Sequence, residues 1–154
     1  MTPEAPSPSI HASAVLVGAR AVLIRGPSGV GKSELVFRLI EAGRTDALPF
    51  VRLVADDRTL LQVCHGRLIA RPAPALRGLL EVRGLGIRRL PYEPAAVVGL
   101  ALDLQAHTGS RMPRECERSS EILGISIPQI AGFSVNGALQ RLMVWRLSQP
   151  FSAA

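Results

Sequence analysis

A chain of 154 residues is the size of one domain and can bury a real core, and 47% apolar with 19% charged residues is ordinary for a soluble globular protein. Its formal charge of +6 comes almost wholly from arginine, since Lys32 is the one lysine, but the arginines are scattered and aromatics make up only 4%, which argues against a nucleic-acid binder. No apolar run is long enough for a membrane span, the start of the chain lacks a signal-peptide pattern, and Cys64 and Cys116 form neither a metal spacing nor a disulfide framework, so a cytoplasmic protein is expected.

Residues 1–9, rich in proline and serine, read as a disordered tail, and 10–149 as a single domain. Two short strands are expected at 14–17 and 21–25, split by a turn at Gly18. Next comes Gly26-Pro27-Ser28-Gly29-Val30-Gly31-Lys32-Ser33, the pattern G-x-x-x-x-G-K-S of a phosphate-binding loop. A helical pattern follows from Glu34, with Leu35, Leu39 and Ile40 on one side and Gly43 as its stop signal. The order is thus strand, glycine loop, helix. Glycines let main-chain N–H groups curl around phosphate oxygens. Lys32 brings a mobile positive charge to the β- and γ-phosphates, and the Ser33 hydroxyl suits a hard cation such as Mg²⁺. The helix N-terminus favours the anion.

Residues 51–55 read as a strand that ends in Asp56-Asp57, 24 residues after Lys32. That interval holds one helix and a turn, so the strand can lie near the loop and deliver a carboxylate to the γ-phosphate. Such a carboxylate can hold Mg²⁺ or accept a proton from an attacking hydroxyl, and a solvated turn is the plainer alternative. Runs at 59–64 and 67–70 suggest a hairpin around His65-Gly66. Residues 79–87 mix apolar residues with glycines and cannot form a regular helix; Glu81 among them can equally face solvent. A strand is expected at 97–104, a polar loop at 108–118, and a mixed segment at 122–133 in which Pro128 interrupts any strand. The last element is a helix over 136–149 with Leu139, Leu142, Met143 and Leu147 on one face. By the residues alone His11, near the terminus, is an exposed bystander. The chain carries neither the Asn-Lys-x-Asp pattern of GTPases nor a Leu-Ser-Gly-Gly-Gln block.

Four blocks together resemble the HPr kinase/phosphorylase family. They are Ile10-His11 with the glycine loop through Glu34, Leu53 to Arg58, Leu79 to Ile87, and Gly124 to Pro128. The resemblance implies an α/β fold, a P-loop nucleotide-binding domain of carboxykinase-like type. It implies ATP-dependent phosphorylation of a serine on an HPr-like phosphocarrier protein of the sugar phosphotransferase system, and the reverse phosphorolysis by phosphate that releases pyrophosphate. Gly26, Ser28, Gly29, Val30, Gly31, Lys32, Ser33 and Glu34 would then bind nucleotide, with Ser33 and Glu81 on Mg²⁺. Asp56 would be general base for the kinase and general acid for phosphorolysis, with Asp57 beside it, His11 tuning Asp56, and Arg111 serving phosphorolysis. The family also implies a homo-hexamer. Departures are His11-Ala12 in place of His-Gly, a stretch from Phe133 to Leu139 that lacks the family's arginine, and few residues before the first block, as in a short form matching the C-terminal catalytic domain. A small-molecule phosphotransferase on the same scaffold and an ATP-sensing regulator with little catalysis are the alternatives.

Overall fold

The computed structural model describes residues 7–105 and 118–148. Arg111 and most of the expected 108–118 loop lie outside the described residues. The elements run β1 (Ser9–Ile10), β2 (Ala12–Val17), β3 (Arg20–Arg25), α1 (Lys32–Arg44), β4 (Val51–Ala55), β5 (Thr59–Cys64), β6 (Arg67–Pro72), β7 (Leu79–Val82), β8 (Gly86–Arg89), β9 (Ala96–Leu104), β10 (Ser119–Ile122), β11 (Ile125–Gly132) and α2 (Val135–Leu147). A mixed sheet has the order β1-β5-β6-β9-β3-β2-β4, and the β10–β11 hairpin joins it on β9. The β3–β9 and β9–β11 pairs are parallel, while β2 is antiparallel to both β3 and β4. The β7–β8 hairpin stands apart as a two-stranded ribbon.

The central strand β3 is an unbroken apolar run because both its faces are covered. Val22 and Ile24 meet Leu35, Val36 and Leu39 of α1 and Leu142 of α2, whereas Ala21 and Leu23 pack with Val54, Leu61 and Leu68 on the other face. Period-two alternation therefore assigns successive residues of one strand to two cores. The parallel neighbours β3 and β9 end side by side, with Arg25 opposite Asp103. Since β2 runs the other way, its first residues lie at that same end, as does the end of β4, where Ala55 faces Ala14. The carboxyl ends of β3, β4 and β9 thus share one edge with the start of β2.

Several expectations change. The tail reading of 1–9 stops short: Ser9 already pairs with Leu60, and the Pro8 carbonyl accepts from the Leu61 N–H. Gly43 lies inside the last turn of α1, and its role is packing. A Cβ there would sit 2.6 Å from Cβ of Val51, so a side chain would push α1 off β4. Pro128 lies within β11, opposite Ser119. The Gln129 N–H donates to the Arg118 carbonyl, so the Pro128 nitrogen points away from β10, and pairing with β9 begins only at Gln129. The proline therefore costs no ladder hydrogen bond. Leu147 is 87% exposed, because at 100° per residue it falls about 140° round α2 from the buried Leu142.

Candidate active site

The loop between β3 and α1 is held at both ends by close packing. A Cβ on Gly26 would stand 2.7 Å from the Leu104 carbonyl oxygen. Gly31, immediately before the helix, has φ 113°, a backbone state that side chains rarely adopt. Lys32 is buried, and its Nζ donates back across the loop to the carbonyls of Gly26 (2.7 Å) and Pro27 (3.0 Å). The loop is tightened by Val30 N–H donating to the Pro27 carbonyl, while Gly29 has open space around it. Glu34 points along the helix surface to Arg38 at 3.6 Å, an acidic residue in the first turn that favours the helix dipole.

Asp56 follows β4 and is only 7% exposed. Three donors meet its carboxylate. Ser13 Oγ donates to Oδ1 at 2.9 Å; Ser33 Oγ reaches Oδ1 at 2.9 Å and Oδ2 at 3.1 Å; and the Glu81 N–H donates to Oδ2 at 3.3 Å. No cationic side chain pairs with it among the described residues. Buried polar groups need such partners, and a buried charge needs them most. The hydrogen bond from Ser33, second residue of α1, ties the glycine loop directly to β4. Asp57 differs from its neighbour: its side chain is 64% exposed and its φ is 64°, in the left-handed region.

His11 lies at the bend between β1 and β2. Its Nε2 is 3.3 Å from Asp57 Oδ1 and 3.3 Å from Ser28 Oγ. The expectation put it beside Asp56, but the structure sets it against Asp57. The place beside Asp56 is taken by Ser13, and the left-handed turn at Asp57 carries that carboxylate outward to the histidine. Glu81 comes to Asp56 through its main chain while its side chain faces solvent. Among the described residues no three His, Cys, Asp or Glu side chains converge on a metal position. An oxygen pair does exist, since the Ser33 hydroxyl and the Asp56 carboxylate touch each other. That hard donor set fits Mg²⁺, which binds through one or two protein oxygens together with phosphates.

On the opposite flank a second polar cluster closes the edge. Arg25, the residue before the loop, donates Nε to Asp103 Oδ1 (2.7 Å) and Nη2 to Asp103 Oδ2 (3.1 Å), a two-pronged guanidinium–carboxylate pair. The same guanidinium also reaches Gln129 (2.9 Å) and Ser120 (3.2 Å). Sequence reasoning missed Ser13, Arg25 and Asp103. A polar residue inside each apolar strand was the available signal, but which ones meet depends on register.

Residues 4–91, more than half of the chain, match the model of the HPr Serine kinase C-terminal domain. The chain is 41% identical over 87 residues to HPr kinase/phosphorylase of Clostridium tetani, covering 56% of this chain and 26% of that protein. It is 42% identical over 83 residues to the enzyme of the same name from Clostridium beijerinckii, covering 54% and 25%. The aligned part thus spans about a quarter of each of these relatives. Among solved structures, the Hpr(Ser) kinase/phosphatase from Coxiella burnetii superposes with a TM-score of 0.74 at 27% identity, covering 91% of this chain and 95% of that one. With four sequence blocks, an α/β mixed sheet and a matching family model, the chain belongs to the HPr Serine kinase C-terminal domain family.

Proposed function

We propose that the chain is an ATP-dependent protein-serine kinase acting on an HPr-like phosphocarrier protein of the phosphotransferase system, and that it reverses the modification with inorganic phosphate, releasing pyrophosphate. The observation that carries this reading is the buried Asp56 carboxylate, bonded to Ser33 of the glycine loop and paired with no cation among the described residues. In this reading the loop from Gly26 to Ser33 is a P-loop that cradles the ATP phosphates, and Lys32 leaves its two carbonyl partners to pair with phosphate oxygens. Ser33 is the residue that would hold Mg²⁺, with Glu81 supporting from the β7–β8 hairpin. When bound, the ion would neutralise charge on the phosphates.

Asp56 accepts the proton of the substrate serine as the hydroxyl oxygen attacks the γ-phosphorus and the bond to ADP breaks. In reverse, protonated Asp56 returns that proton to the serine oxygen as phosphate takes up the phosphoryl group. Asp57 and His11 form the outer wall of this acidic site, next to Ser28, and Arg111 serves phosphorolysis. The protein works in the cytoplasm as a homo-hexamer, which light scattering would report.

The test is an incubation with ATP, Mg²⁺ and an HPr-like protein, read by intact mass. Gain of one phosphoryl group on a serine, removed again by inorganic phosphate with release of pyrophosphate, is the expected result. An unmodified carrier together with phosphorylation of a small hydroxy compound would place the chain with small-molecule phosphotransferases instead. ATP binding without any transfer would make it a nucleotide sensor.

A further inference from the structure

We infer that Ser13 is a positioning residue for phosphoryl transfer: its hydroxyl fixes both acidic residues of the site at once. The inference rests on the kinase reading above. Ser13 is fully buried on β2 and lies in none of the four blocks that carry the family resemblance. Its Oγ accepts the Asp57 N–H at 3.1 Å and donates to Asp56 Oδ1 at 2.9 Å. A serine hydroxyl has one proton and two lone pairs. The main-chain N–H can only donate and the carboxylate can accept, so the direction of both bonds is set.

These two bonds complete a circuit. Ser28 of the loop meets His11, His11 meets Asp57, the Asp57 main chain meets Ser13, Ser13 meets Asp56, and Asp56 meets Ser33 back in the loop. Both ends of the circuit lie on the glycine loop, and Ser13 links its two halves. The consequence is geometric. Ser13 contacts Oδ1 alone, whereas the Glu81 N–H contacts Oδ2. When Ser33 turns toward a metal and phosphate, Ser13 is the side-chain donor among the described residues that stays on Asp56. It then keeps Oδ1 engaged and the carboxylate plane fixed, leaving Oδ2 to face the substrate hydroxyl. Through the Asp57 N–H it also steadies the left-handed turn that aims Asp57 outward. Sub-ångström placement of a proton acceptor has large effects on rate.

Two variants test this in the full chain. Ser13→Ala deletes the hydroxyl, and Ser13→Cys keeps nearly the same volume with a much weaker donor. Both are expected to lower kcat for kinase action and for phosphorolysis about 10- to 100-fold, the usual cost of removing a group that orients a functional one. KM for ATP and equilibrium ATP binding should stay within about threefold, because the loop is untouched. Unchanged kcat in either folded variant overturns the assignment. So does a fall in kcat that comes with an equal loss of ATP affinity, which is the signature of general structural damage. A parent that transfers no phosphoryl group to the carrier overturns the kinase reading, and this assignment falls with it; an active parent with fully active variants overturns this assignment alone.

Discussion

Asp56 and Asp103 stand at strand ends on either side of the glycine loop, and they are satisfied in different ways. Asp103 receives both prongs of Arg25, so its charge is cancelled and its oxygens are occupied. Asp56 is the more buried of the two and, among the described residues, receives neutral donors from Ser13, Ser33 and Glu81. The first arrangement locks β3 to β9 under the loop. The second holds a carboxylate in place without neutralising it, which leaves it able to meet a metal ion or take a proton. Both lie at the same edge of the sheet, and in the proposed reading their partners leave chemistry to Asp56 and architecture to Asp103.

The largest effect on nucleotide binding is expected at the charge that sits between these flanks. Among the described residues Lys32 Nζ meets neither carboxylate and donates to the Gly26 and Pro27 carbonyls. Lys32→Ala should therefore leave both clusters intact and the fold stable, yet weaken ATP binding by roughly 100-fold or more, in keeping with charge-assisted contacts to phosphate. Titration with a fluorescent ATP analogue measures it; parental affinity would remove the phosphate role from the loop.

Arg25→Gln attacks the architectural side. It leaves Asp103 without its guanidinium, and should cost about 1–3 kcal/mol of stability, the penalty for stripping a partner from a part-buried charged group. Chemical denaturation of the variant checks this. A loss of transfer rate with unchanged stability would show that the Arg25–Asp103 pair belongs to the chemistry and would dissolve the contrast.

A smaller effect sharpens the contrast within the acidic pair itself. Asp57 and His11 are both substantially exposed, with side-chain exposures of 64% and 49%. Such surface ion pairs contribute little, so Asp57→Asn should move stability by no more than about 0.5 kcal/mol. Thermal unfolding reads the change. Asparagine also tolerates the left-handed backbone at φ 64°, so the turn is kept.

Much of this site is legible in the sequence because its pieces are contiguous. The loop from Gly26 to Ser33 and the strand that delivers Asp56 announce themselves by local pattern and by an interval with room for one helix. The partners are another matter. Ser13 meets Asp56 across 43 residues and Arg25 meets Asp103 across 78, through strand register that no local pattern encodes. Gly43 looked like a helix stop because glycine is a poor helix former, but the close approach of Val51 overrides that preference. Pro128 looked like a strand breaker, but its nitrogen faces the side of β11 where no ladder bond is needed. The contact of His11 with Asp57 is not legible in the sequence, because the direction in which Asp57 leaves its strand depends on a positive φ.

In the proposed reading Asp56 does the chemistry and Asp103 does not. The most direct measurement is the rate of phosphoryl transfer to an HPr-like protein, in both directions, by Asp56→Asn and Asp103→Asn under saturating ATP and Mg²⁺. Each variant keeps the shape of its side chain and removes the negative charge. Asp56→Asn is expected to lose about 10²- to 10⁴-fold in both directions, as when a general base is removed, with ATP affinity within a few-fold of the parent and no recovery on raising Mg²⁺. Asp103→Asn should retain transfer within a few-fold where it remains folded. Comparable losses in the two variants, or a larger loss at Asp103, would contradict that reading.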